Sequence, residues 1–161
     1  MVKYGYAETK EPAISEFINI LHFRAKFVRP EEAIEGILGS SGIPVPAHPS
    51  CGSGDQIILG EEMDHRLRRL IRYGLMGVEA YYSGFMEKLS GEILSFAEKY
   101  DLYVTAGSDY NGTNKPVELG DTGLYSAAQA PDGMRRFLDD LRTRGRIAAP
   151  PEAPAHTADP Q

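Results

Sequence analysis

The sequence predicts an α/β chain in which parallel strands alternate with helices, and three observations carry that prediction. Residues 43–47, 76–81 and 102–106 form short apolar runs, the last rich in β-branched and aromatic side chains. Between them lie stretches whose apolar residues recur at helical spacing. The composition, 42% apolar and 25% charged, is that of an ordinary globular domain and excludes a chain disordered throughout. Strand, helix, strand, helix, strand in this order implies parallel pairing through right-handed crossovers.

The elements follow in order. Ile14, Phe17, Ile18, Leu21 and His22 mark a first helix, with Pro12 placed to start it. A second begins at Pro30, where Glu31 and Glu32 suit the positive end of the helix dipole and Ile34, Ile37 and Leu38 supply a buried face. Gly39-Ser40-Ser41-Gly42 stops it. The strand over 43–47 contains Pro44 and Pro46, which restrict the ladder bonds it donates. Met63, Leu67, Leu70 and Ile71 mark the next helix, ended by Gly74 as a natural residue after the cap. After the strand over 76–81, Leu89, Ile93, Phe96, Ala97 and Tyr100 mark another helix, followed by the strand over 102–106. Asp132 then caps a helix whose apolar face is Met134, Phe137, Leu138 and Leu141. The last fourteen residues hold four prolines and five alanines and are expected to be disordered. The expected division is a helical segment over 1–29, an α/β part over 30–125, a closing helix over 126–147 and a Pro/Ala-rich tail over 148–161.

Several function classes are disfavoured. No stretch approaches the roughly 18 to 20 apolar residues of a membrane helix, and the first residues lack the apolar core of a secretory signal. A single cysteine, Cys51, forms no internal disulfide, so the expected location is the cytoplasm. With 17 basic and 23 acidic side chains the net charge is −6, which argues against a broad electrostatic grip on nucleic acid, although a bound cation supplies positive charge locally.

In parallel α/β folds ligands gather at the carboxyl ends of strands. His48 directly follows the first strand, Glu79 and Tyr81 end the second, and Ser108 and Asp109 lie just past the third. Simpler readings stand beside this one. His48 between Ala47 and Pro49 satisfies a turn, Asp109 with Asn111-Gly112 is ordinary turn chemistry, and Glu79 faces solvent. Cys51-Gly52-Ser53-Gly54 lacks the Gly-Lys-Ser/Thr of a P-loop and reads as a flexible loop. Cys51 has no activating partner, and Arg66, Arg68, Arg69 and Arg72 form a solvated helix face. His22, His65 and His156 offer no ligand spacing.

Three motifs in order carry a family resemblance: Ile43-Pro44-Val45-Pro46-Ala47-His48-Pro49, Gly74-Leu75-Met76-Gly77-Val78-Glu79-Ala80-Tyr81, and Ala106-Gly107-Ser108-Asp109-Tyr110-Asn111-Gly112 with Asn114-Lys115-Pro116 and Leu119-Gly120. Over residues 30–123 the chain resembles the C-terminal half of a polymerase-and-histidinol-phosphatase (PHP) domain. It is most similar to the stand-alone bacterial branch that hydrolyses nucleotide phosphates or short RNA. The resemblance implies a distorted barrel of parallel strands with divalent metals, manganese, iron or zinc, at the strand carboxyl ends. It also implies metal-ligand roles for His48 and Asp109. The family places a histidine two residues after that aspartate. Here Asn111 stands there, an amide less basic toward transition metals than imidazole, and so a weakened ligand position. Glu79 and Ser108 are expected to orient the ligands or meet substrate, and Lys115 to contact phosphate.

The family's opening His-x-His strand motif has no counterpart in this sequence, and related eight-stranded barrels need about 250 residues. The expectation is therefore a truncated or split member, impaired or inactive alone, acting on a small phosphorylated substrate such as a nucleotide or short RNA and making no membrane contact. The alternative is a non-catalytic α/β module that pairs with a complementary N-terminal barrel half or with itself, burying well over about 1,000 Å².

Overall fold

The computed structural model describes residues 2–9, 12–13, 27–52, 56–112, 117–124 and 126–144. The helix expected over 14–22, Lys115 and the proline-rich tail lie outside the described residues.

Helix α1 spans Pro30–Gly39. Proline opens it with a preset φ, and the Glu32 carboxylate accepts the Arg29 backbone N–H at 3.2 Å, satisfying a donor at the helix start. Only Ile34 of its expected apolar face is buried; Ile37 and Leu38 remain 40% and 38% exposed. The reason is placement: α1 packs against the next helix, not on the sheet, so a narrower stripe is covered.

Helix α2 spans Gly60–Tyr73, burying Met63 and Leu67, and Gly74 leaves it at φ 105°, a left-handed conformation that favours glycine. Strand β1 (Gly77–Tyr82) leads to helix α3 (Glu87–Lys99) and strand β2 (Tyr103–Gly107). The two strands are parallel, with Gly77 opposite Tyr103 and Tyr82 opposite Gly107. α3 buries Leu89, Ile93 and Ala97, and the last two join Val78, Ala80 and Val104 in one core.

The strand expected over 43–47 is not a full ladder strand. Its backbone runs beside β1, where the Pro44 carbonyl accepts the Met76 and Gly77 N–H groups and the Pro46 carbonyl accepts that of Glu79. In a strand the N–H and C=O of one residue point to the same side. The two residues whose carbonyls face β1 are therefore the two that would also donate to it, and both are prolines without an N–H. The segment is an acceptor-only flank to a two-stranded sheet. The next residue in that series is His48, whose N–H is the first one free to donate.

After β2 the chain loops back and enters helix α4 (Asp132–Thr143). Asp132 is its first residue, not its cap. Pro131 holds the extended cap conformation and its carbonyl accepts the N–H groups of Met134 and Arg135, so the helix starts one residue earlier than expected. The Asp132 carboxylate instead pairs with Arg135 at 2.9 Å. α4 lies close against β2 because residue 133 is glycine: a Cβ there would stand 2.9 Å from the Leu102 carbonyl oxygen. No helix among the described residues is long and apolar enough to cross a membrane.

On the outer surface, Asp64 Oδ1 accepts hydrogen bonds from Lys99 Nζ and Tyr100 Oη, both at 2.6 Å, clamping α2 to the end of α3. The Lys99 bond, then the Tyr100 bond, hold the Asp64 carboxyl below the ordinary carboxylate range, and Asp64 in turn raises Lys99. A carboxyl with a lowered folded pKa adds stability above its unfolded pKa and loses it as pH falls through the folded value. Asp64→Asn is therefore expected to lower the melting temperature at neutral pH. The gap to wild type should close as the pH drops below the carboxylate range. A gap independent of pH in thermal melts would contradict this account.

Candidate functional site

The acceptor-only segment, β1 and β2 bring His48, Glu79 and Asp109 to one rim. His48 follows the acceptor-only segment and takes φ 30°; Asp109 follows β2 and takes φ 50°. Both lie in the left-handed region, uncommon for non-glycine residues and costly unless the surroundings hold it. Between them stands Glu79 of β1. Its Oε2 accepts the His48 backbone N–H at 2.6 Å, the donor that the proline pattern leaves available.

Burial pushes the Glu79 carboxyl above its ordinary range. The His48 N–H and imidazole pull it back, and the Asp109 carboxylate raises it further. Glu79 thus lies within electrostatic reach of both candidate ligands. Its carboxylate also depends on a glycine, since a Cβ at Gly107 would collide with Glu79 Oε1.

A β-bulge sets which side chains face the rim. The register between β1 and β2 shifts between Glu79 and Tyr81, leaving Ala80 unpaired. Strict alternation would send Glu79 and Tyr82 to opposite faces; the extra residue returns both to the same face. Both approach His48: the Tyr82 ring centroid is 5.2 Å from that of the imidazole. Tyr81 goes to the helix side and packs against the core. Tyr82 is the rim residue that the sequence pattern missed. Alternation is the usual signal of facing, and the bulge breaks it.

The remaining candidates are placed as follows. Asn111 is exposed, and its Nδ2 donates to the Asp109 carbonyl at 3.2 Å and to Asp109 Oδ1 at 3.3 Å. Ser108 is 7% exposed; its hydroxyl accepts the Gly120 N–H at 3.4 Å and its carbonyl accepts the Ser83 hydroxyl at 2.9 Å. It ties two loops together beneath the rim. Cys51 is exposed and free, and Arg66 and Arg68 pair with Glu62 and Asp64 along the solvent face of α2.

The donor set fits part of a divalent cation's coordination sphere. An imidazole, a carboxylate and an amide are types such cations accept, but Glu79 is engaged by a backbone N–H. Among the described residues no group of three or more His, Cys, Asp or Glu side chains is arranged to hold a metal ion.

Gly107→Ala tests the arrangement. The obstructing atom is the tip of a flexible side chain, so Glu79 is expected to swing away at a cost near one net hydrogen bond, about 1 kcal/mol. The His48 amide proton resonance should move upfield as its charge-assisted bond is lost. An unchanged resonance would contradict the geometry.

No protein-family model matches this sequence, and no curated protein does. Among solved structures, the chain is similar to a protein from Bifidobacterium adolescentis described as a metal-dependent phosphoesterase. Identity is 28% with a TM-score of 0.57, over 86% of this chain and 46% of that one. It is also similar in fold to an amidohydrolase from Chromobacterium violaceum solved with bound sulfate and no metal, at 20% identity and a TM-score of 0.60, over 89% of this chain and 48% of that one. This chain therefore shares its fold with about half the length of two larger hydrolase structures.

Proposed function

We propose that the chain contributes to a metal-dependent phosphoesterase of the PHP type, acting on the phosphoester of a nucleotide or short RNA. The observation that carries this reading is the convergence of His48, Glu79 and Asp109 at the carboxyl end of parallel strands. The 28% identity to a protein described as a metal-dependent phosphoesterase supports it.

In this reading the His48 imidazole and the Asp109 carboxylate hold a divalent cation, manganese, iron or zinc, and Asn111 stands at a weakened ligand position. A bound cation of this kind polarises a phosphoryl oxygen and lowers the pKa of bound water. The chain's own residues hold the ligands in place. Glu79 anchors the His48 backbone in its left-handed turn, and the Tyr82 ring limits rotation of the imidazole. Asn111 holds the Asp109 carboxylate from the solvent side.

The test is Mn²⁺ titration of the purified full chain by calorimetry, with phosphate release from a nucleotide monophosphate measured in parallel. Saturable binding with turnover supports the proposal. Metal-free, inert protein that self-associates supports the pairing alternative instead. Asn111→His restores the imidazole that the related motif carries, and is expected to tighten Mn²⁺ binding by roughly tenfold, about 1.4 kcal/mol. An unchanged affinity would mean that position 111 does not face the cation.

A further inference from the structure

A second recess lies beside the rim. A cavity of about 520 Å³ opens between the start of α3 and the loop after β2. Its size falls within the roughly 300–1,000 Å³ of small-molecule sites. Tyr81 and Phe85 supply aromatic walls, Leu94 and Leu124 aliphatic ones, and Glu87 and Gln129 polar groups. Among the described residues none that lines it is cationic, so this lining suits a neutral group and disfavours a phosphate.

Two connections join the cavity to the rim. Phe85 packs edge-on to Tyr82 at 5.0 Å between centroids, and Tyr82 packs on His48 at 5.2 Å, so two ring-to-ring steps separate the cavity wall from the imidazole. The loop bearing Leu124 is fastened through the Gly120 N–H to Ser108, the neighbour of Asp109. The bulge at Ala80 serves both places, turning Tyr82 toward His48 and Tyr81 toward the cavity.

The geometry points to this cavity as a subsite for a nucleobase, the flat heteroaromatic end of a substrate whose phosphate lies at the His48–Asp109 rim. Aromatic faces stack on any base, while a carboxylate that accepts and an amide that both donates and accepts match the edge of a base. The phosphate end of this assignment rests on the phosphoesterase reading; the cavity's affinity for a base does not.

The experiment titrates the full chain, without added metal, with adenosine and with uridine, which carry no phosphate. Saturable binding of at least one is expected. Gly91 stands on the cavity wall within α3, and nothing lies within 4 Å of where its Cβ would be. Gly91→Leu therefore fills the space without a backbone clash and favours the helix, and is expected to weaken nucleoside binding at least tenfold with unchanged circular dichroism. Phe85→Leu, which removes one stacking face, is expected to weaken it severalfold. No saturable binding by either nucleoside, or binding that Gly91→Leu leaves unchanged, would overturn the assignment. Ribose 5-phosphate with Mn²⁺ probes the rim separately: its failure to bind counts against the phosphoesterase reading and leaves the nucleoside result standing.

Discussion

Replacing Asp109 by alanine is expected to weaken Mn²⁺ binding by about a hundredfold or more, near 2.7 kcal/mol. The substitution removes the carboxylate of one of the two residues assigned to hold the cation. Loss of groups that merely orient ligands already costs about 10–100-fold, so a ligand's own carboxylate should cost at least as much. Alanine also suits φ 50° poorly, so part of any loss could come from the loop. Asp109→Asn separates the two effects, because asparagine tolerates the left-handed region and keeps the side chain's shape while removing its charge. Both variants should lose affinity, with the asparagine variant melting near wild type. Retained Mn²⁺ affinity in both would remove Asp109 from the site.

Ile93→Ala is expected to give the largest loss of stability. Ile93 is 0% exposed at the centre of α3, flanked by Leu89 and Ala97 on the same helical face. It shares a core with Val78 and Ala80, which are also 0% exposed. Truncating such a residue removes its transfer free energy and leaves a cavity, together about 2–5 kcal/mol. For a chain of this size that is a fall in melting temperature on the order of 10 °C. Ile93→Val, which removes one methylene, should cost about 0.5–1.5 kcal/mol. The consequence reaches the rim, since Ile93 supports the face of β1 opposite Glu79 and Tyr82. Melts that place Ile93→Ala within 1 kcal/mol of wild type would mean that α3 does not pack as described.

The parts of the fold set by periodicity were legible in the sequence. Met63, Leu67, Leu70 and Ile71 marked α2, and Gly74 its end, because a helix burying one stripe must repeat apolar residues at its own period. The runs near 76–81 and 102–106 became β1 and β2 with shifts of one residue. What escaped depended on tertiary context. Ile37 and Leu38 fit a buried stripe, yet α1 meets only α2 among its neighbours of substantial contact. Asp132 is a good cap by type, but Pro131 already held the cap conformation.

The rim was legible as a set of strand ends and opaque in its contacts. Spacing alone pointed to His48, Glu79 and Asp109, because the loops after parallel strands converge. It did not show that Glu79 would accept the His48 N–H, although Pro44 and Pro46 make His48 the first donor on that side. Nor did it show Tyr82, because a one-residue bulge reverses facing and leaves no mark on composition.

Paramagnetic broadening by Mn²⁺ of the backbone amide signals of the full chain tests the site most directly. The account predicts that substoichiometric Mn²⁺ selectively broadens residues 47, 48, 79–82 and 107–111, while the acidic surface around Glu61, Glu62 and Asp64 stays sharp. Broadening centred on that outer face of α2, or spread evenly over the surface, would contradict a cation site at the strand ends.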